Sequence, residues 1–161
     1  MKIHPQIEVE LAKPEHLSRI MELWESSMQF HNTIDSEFFN SNALDKDLYL
    51  TVLELSLEYQ PIFILRVGDK IEGFATIEEV RIGFSHCNNI PYCKIGDFVI
   101  SEIYRRRGFG KRLFNKIIKW AKKQGIRRID LNVYAKNQQA MNFYRELGLD
   151  VNFYSMSFSM P

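Results

Sequence analysis

A strand that runs straight into a helix through a glycine turn constrains this chain more than any other stretch. Residues 97–110 read DFVISEIYRRRGFG: an apolar run, a short polar joint, then arginines and glycines opening a helix. The turn fits the spacing (Arg/Gln)-x-x-Gly-x-(Gly/Ala), with Arg105, Gly108 and Gly110 at the fixed positions. A helix that begins this way leaves its first backbone N–H groups unpaired and aimed at whatever sits before it. The macrodipole adds partial positive charge there, so the fitting guest is an anion such as a phosphate. Glycine at 108 and 110 removes the Cβ atoms that would hold such a guest away. Arg105, Arg106, Arg107, Lys111 and Arg112 surround the turn, and guanidinium forks suit phosphate oxygens.

The elements on either side follow from periodicity. Ile7, Val9 and Leu11 alternate with glutamates and predict a first strand. Pro14 starts a helix running to about Phe30, with Leu17, Ile20, Met21, Trp24 and Met28 as its apolar stripe. Residues 31–41 read as a loop. A second helix ends at Pro61, and Leu44, Leu48, Val52 and Leu55 mark its buried face. Runs 62–67 and 71–80 flank Gly68-Asp69-Lys70 as a hairpin. A loop over 84–92 precedes the strand that delivers the glycine turn. Leu113, Phe114, Ile117, Ile118 and Ala121 stripe the next helix, and Gly125 can end it. Residues 129–134 alternate as a strand, Asn137 can cap a short helix, and 151–160 alternate again as a last strand. The order β-α-α-β-β-β-α-β-α-β, without repeats or linkers, implies one domain with a mixed sheet between helices.

With 161 residues, 45% of them apolar, the chain can bury a real core, and no stretch has the length of a membrane span. The first residues lack an apolar signal region, so a cytoplasmic protein is expected. Cys87 and Cys93 then read as reduced thiols, and with no histidine or carboxylate at ligand spacing they imply no metal. The formal net charge is +1, but residues 1–60 hold eleven Asp and Glu against four Lys and Arg. Residues 105–128 hold eleven Lys and Arg and no acid, a footprint for a polyanion. Nucleic acid would account for the basic helix face but not for the glycine spacing, and none is expected as a partner.

The glycine turn resembles the acyl-coenzyme A-binding motif of the GCN5-related N-acetyltransferases (GNAT). A second signature follows at that family's spacing, Asn137-x-x-Ala140-x-x-Phe143-Tyr144-x-x-x-Gly148. The resemblance implies a mostly antiparallel sheet flanked by helices, and acetyl transfer from acetyl-coenzyme A directly to an amine without a metal. It implies that Phe98, Val99 and Ile100 pair through their backbones with the pantetheine arm. Arg105, Arg106, Arg107, Gly108, Phe109, Gly110 and Lys111 would hold the diphosphate, and Asn137 would either contact the arm or simply cap its helix. Tyr144 falls on the family's general acid.

The base is not fixed by the resemblance. Protein N-terminal acetylating relatives often place a glutamate where this chain has Asn132, which cannot take a proton. Glu78, Glu79 and Asp97 are the substitute candidates, with His31 behind them. Strand alternation puts Asp97 and Phe98 on opposite faces without saying which faces the cleft. The acid-rich first 60 residues suggest a cationic small-molecule amine as acceptor. A peptide amine, a protein N-terminal or lysine acetyltransferase, and a non-catalytic coenzyme A-binding module are the alternatives. A homodimer is left open.

Overall fold

The computed structural model describes residues 6–80, 91–158 and 160. Five strands lie in chain order across one sheet: β1 (Ile7–Leu11), β2 (Ile62–Val67), β3 (Lys70–Val80), β4 (Tyr92–Ile100) and β5 (Arg128–Leu131). The first four are antiparallel neighbours, and β5 joins β4 in parallel after the crossover through α3 (Phe109–Lys123). Helices α1 (Leu17–Ile34) and α2 (Lys46–Tyr59) cover one face, where Ile20, Leu23, Trp24 and Leu53 meet Ile62, Ile64, Phe74 and Val99. The other face carries α3 through Leu113, Phe114 and Ile117, packed on Phe63, Leu65, Ala75, Ile95 and Ile100. Helix α4 (Gln138–Glu146) follows β5. This is the mixed, mostly antiparallel, helix-flanked sheet expected from the sequence. Among the described residues no helix is long and apolar enough to cross a membrane.

β3 and β4 approach closely at Gly73. A Cβ built there would lie 2.8 Å from the carbonyl oxygen of Val99 and 2.6 Å from Ile100 Cδ1. That close approach also shows which way the β4 backbone points. Val99 turns its carbonyl toward β3, and successive residues of an antiparallel strand direct their polar groups to alternate edges. Phe98 and Ile100 therefore point theirs to the β5 side. There the ladder stops early, because β5 pairs only with β4 residues 92–95, ending at Ile95↔Leu131. Beyond that point β4 and β5 have no pairing, and a gap opens between them.

Three expectations are corrected. Helix α1 continues to Ile34, since residues 31–34 extend it before the polar segment begins. Helix α2 is rotated: Leu48, Val52 and Leu55 are 60%, 47% and 54% exposed, and Leu53 is its fully buried residue. Leucines at 48, 50, 53, 55 and 57 make α2 apolar all round, so spacing alone could not choose a face. Tyr49 chooses it, stacked on Trp24 at 3.9 Å between ring centroids and bonded to Asp97. Residues 151–158 form no strand and are exposed, so the last strand of the predicted order is absent among the described residues. The predicted loop 84–92 and Cys87 fall largely outside the described residues. Cys93 is a buried free thiol whose pKa burial pushes up to about 12.

Candidate active site

The gap between the strands leads into a cleft of about 740 Å³. One wall is β4 at Phe98, Val99 and Ile100; others come from the glycine turn, from α4, and from α1 at Ser27, Phe30 and His31. Because α1 and α4 lie on opposite faces of the sheet, the cleft runs through it.

At one end sits the start of α3. Gly108 takes φ +81° as the residue before the helix, and Arg106 takes φ +60°, a left-handed conformation that is uncommon outside glycine. The first α3 bond runs from Arg112 N–H to Gly108 O, which leaves the N–H groups of Phe109, Gly110 and Lys111 without intrahelical acceptors. A Cβ on Gly108 would meet nothing within 4 Å apart from its own chain neighbours, so the residue itself is not crowded. This cradle fits a diphosphate. Arg105 is a strut within it: its Nε donates to Ile100 O at 3.0 Å, and its guanidinium lies 4.9 Å above the Phe30 ring. Arg106 lines the cleft, Arg107 and Lys111 are exposed beside it, and Phe109 packs against Tyr104. Gly110 has a different reason to be glycine. Its Cβ would lie 2.9 Å from Phe143 Cζ, so even alanine there displaces a ring that lines the cleft.

Of the three strand residues, Val99 is committed to β3 and the Ile100 carbonyl to Arg105. Both backbone groups of Phe98 and the N–H of Ile100 remain for a bound amide arm. Asn137 caps α4, its Oδ1 accepting from Ala140 N–H at 3.0 Å, and the residue also lines the cleft. Tyr144 projects from α4 against Phe98, ring centroids 6.1 Å apart, and lines the cleft. Burial pushes its pKa up, so the phenol stays protonated at neutral pH.

Strand alternation places Asp97 on the α1–α2 side. Its Oδ2 accepts from Tyr49 Oη at 2.8 Å and Thr76 Oγ1 at 3.2 Å, and the Asp97 N–H donates to Thr76 Oγ1 at 2.7 Å. Burial raises the Asp97 pKa; the Tyr49 and Thr76 bonds and the nearby His31 pull it partly back. A raised folded-state pKa means that the native state binds the proton more tightly than the unfolded chain. Stability therefore falls as pH climbs from the unfolded value of about 4 through the folded one. Asp97→Asn should remove that slope, a result that thermal unfolding followed across pH will show.

His31 lines the cleft, and its Nδ1 lies 2.8 Å from Ser27 O. In the tautomer that donates this bond, Nε2 carries the free lone pair. Glu78 and Glu79 are not brought to the cleft. Their register opposite Lys94 and Cys93 puts them at the far end of β4 from Phe98, and Glu78 lines a smaller cavity beneath α2. Asn132 is exposed. The acids of the first 60 residues do not line the cleft either, and four of them are spoken for: Glu10 pairs with Arg66, Glu22 with Arg19, Glu25 with Lys46 and Asp35 with Lys136. Asp35 also accepts from Tyr134, and the Lys136 and Tyr134 bonds hold its pKa down at about 2. This tie fastens the segment after α1 to the joint between β5 and α4. Phe38, Phe39 and Tyr134 cluster around it, a feature that no spacing in the sequence announced. Among the described residues no cluster of metal-ligating side chains occurs.

Comparison with known proteins bears on the family and the fold. The family model for the GNAT acetyltransferases matches residues 18–149. An uncharacterized N-acetyltransferase of Methanocaldococcus jannaschii is 33% identical over 88 residues, 55% of this chain and 38% of the relative. The L-ornithine N5-acetyltransferase of Arabidopsis thaliana is 42% identical over 57 residues, 35% of this chain and 25% of that protein. The matched stretches thus span between a quarter and two fifths of these curated relatives. Among solved structures, a mutant Bacillus halodurans protein superposes with TM-score 0.83 at 21% identity, covering 95% of this chain and 99% of that one. The aminoglycoside N-acetyltransferase AAC(6')-Iy in complex with CoA superposes with TM-score 0.77 at 15% identity, covering 99% and 98%.

Proposed function

The chain belongs to the GNAT acetyltransferase family, and from that premise we propose that it moves the acetyl group of acetyl-coenzyme A directly onto a primary amine of a small cationic molecule. The carrying observation is the cleft through the sheet, with the α3 donors at one end and the Tyr144 hydroxyl inside it. Bound acetyl-coenzyme A supplies an activated thioester. The chain's part is to hold and orient it. The N–H groups of Phe109, Gly110 and Lys111 face the diphosphate, and Phe98 with the N–H of Ile100 takes the amide arm in place of a strand. Tyr144 Oη donates a proton to the departing sulfur. On the α1 side, His31 Nε2 receives the proton of the attacking amine, with the buried Asp97 carboxyl nearby.

The acceptor reading no longer rests on the acid-rich first 60 residues, whose paired carboxylates leave the cleft to other groups. It rests on the aromatic rings that line the cleft, Phe30, Phe98, Phe143 and Tyr144, since aromatic faces attract cations. The acceptors in the relatives' names support it, ornithine and aminoglycosides both carrying primary amines. An alkylamine of pKa ~10.4 must lose a proton before it attacks, at a cost of about 4–5 kcal/mol at pH 7. kcat/KM should therefore rise with pH from 6 past 8.

Two measurements test this. Coenzyme A should raise the thermal midpoint, since a ligand bound only to the native state stabilises it. Acetyl transfer over a panel of cationic and neutral primary amines should then favour the cations. A stabilised protein that turns over no amine would make the chain a binding module and overturn the enzymatic reading.

A further inference from the structure

A buried carboxylate stands where β3 meets the end of β4, and nothing in the proposed chemistry uses it. Glu72 is 5% exposed, in a stretch of β3 where its neighbours are Ile71, Gly73 and Phe74. A β-branched apolar residue would suit such a strand position and lose no hydration, whereas a buried carboxylate is tolerated only when it is bonded. Its bonds therefore show what it is for. Glu72 Oε2 accepts from the Ser101 hydroxyl and, at 3.4 Å, from Arg19 Nη2. The Glu72 carbonyl accepts from Ser101 N–H at 2.8 Å, so one residue grips Ser101 twice. Arg19 reaches across from α1, its Nε donating to Ile71 O at 3.0 Å.

Ser101 is the joint between strand and cradle. It precedes the 3₁₀ turn Glu102–Tyr104, a place where a serine hydroxyl ordinarily accepts from the N–H groups of the turn itself. Here it makes no such cap and donates to Glu72 instead. Beyond the turn come Arg105, whose Nε holds Ile100 O, and then Arg106 and Gly108, both at positive φ. A left-handed arginine persists only where its surroundings hold it. We propose that Glu72, acting through Ser101, is a positioning residue for coenzyme A: it fixes where β4 ends and thereby aims the α3 donors at the diphosphate. This rests on the cradle reading given above. Without the latch the joint can shift, and hydrogen bonds from a helix start weaken steeply as they lose alignment. Arg19 ties the same point to α1, the helix that brings Ser27, Phe30 and His31 to the cleft.

Calorimetric titration with coenzyme A is the test. Ser101→Ala and Glu72→Ala should each weaken binding about tenfold, or ~1.4 kcal/mol, and the double variant no further, because both remove the same bond. Glu72→Gln keeps an acceptor oxygen for Ser101 and should recover most of the affinity. Leu53→Ala, which opens a cavity under α2, should lower the thermal midpoint and leave coenzyme A affinity unchanged, so lost stability alone does not imitate the result. In Ser101→Ala, KM for acetyl-coenzyme A should rise while kcat at saturation stays within about twofold. Ser101→Ala removes a single part-exposed hydroxyl and decides the matter even if Glu72→Ala misfolds. Native affinity in folded Ser101→Ala, or additive losses in the double variant, would overturn the proposal and leave the cradle standing. A wild-type chain that binds no coenzyme A would overturn cradle and latch together.

Discussion

Tyr144→Phe should lower turnover by roughly 10²–10⁴-fold, the usual contribution of a positioned general acid. Affinity for acetyl-coenzyme A should change little. The ring that packs against Phe98 and Phe143 is retained, so the wall of the cleft keeps its shape. Only the hydroxyl is lost, and no described residue hydrogen-bonds it, so its removal strands no protein partner. Pre-steady-state measurement separates two kinds of result. A loss confined to the chemical step supports the acid role, whereas unchanged single-turnover rates would reduce Tyr144 to a packing residue.

Gly108→Val should weaken coenzyme A binding on the order of 10²-fold. A Cβ there meets no neighbour within 4 Å, and a branched side chain at the start of α3 would compete with a diphosphate for the approach to its donors. Keeping a diphosphate from charge-assisted hydrogen bonds at about 1.5–3 kcal/mol each accounts for a loss of that size. The substitution also strains the backbone, because φ +81° suits glycine and costs other residues about 1–2 kcal/mol. Gly68 supplies the matched control. It sits in the β2–β3 turn at φ +60° with nothing within 4 Å of a built Cβ. Gly68→Val should lose similar thermal stability and keep native affinity in a calorimetric titration. Equal affinity losses in both variants would move the effect from the cradle to global stability.

The elements around the cradle were legible because each rests on a local rule. Gly68, Gly108, Gly125 and Gly148 all stand where a left-handed turn ends or joins elements, and Asn137 caps where a cap residue was due. Tyr144, Phe143 and Asn137 fall together because one helix at fixed spacing carries them. What the sequence could not show depends on non-local choices. The face of α2 was settled by Tyr49 reaching Asp97, 48 positions away. The division of labour along Phe98, Val99 and Ile100 was settled by the phase of the β3 ladder. The fate of the acids was settled by partners such as Lys136, 101 positions from Asp35. Segment 151–158 alternates as a strand would but forms none, because a strand needs a pairing partner, which no local pattern supplies.

The gap between β4 and β5 has a further meaning for traffic through the protein. An opening that passes through a sheet has two mouths, one on each face. On the function proposed above, the cofactor would enter from the α3–α4 side and the amine from the α1 side, at Ser27, Phe30 and His31, so the two reactants would not share a doorway. Either could then enter while the other is in place. Such an arrangement would permit co-residence without a fixed queue, with Tyr144 where the two paths meet.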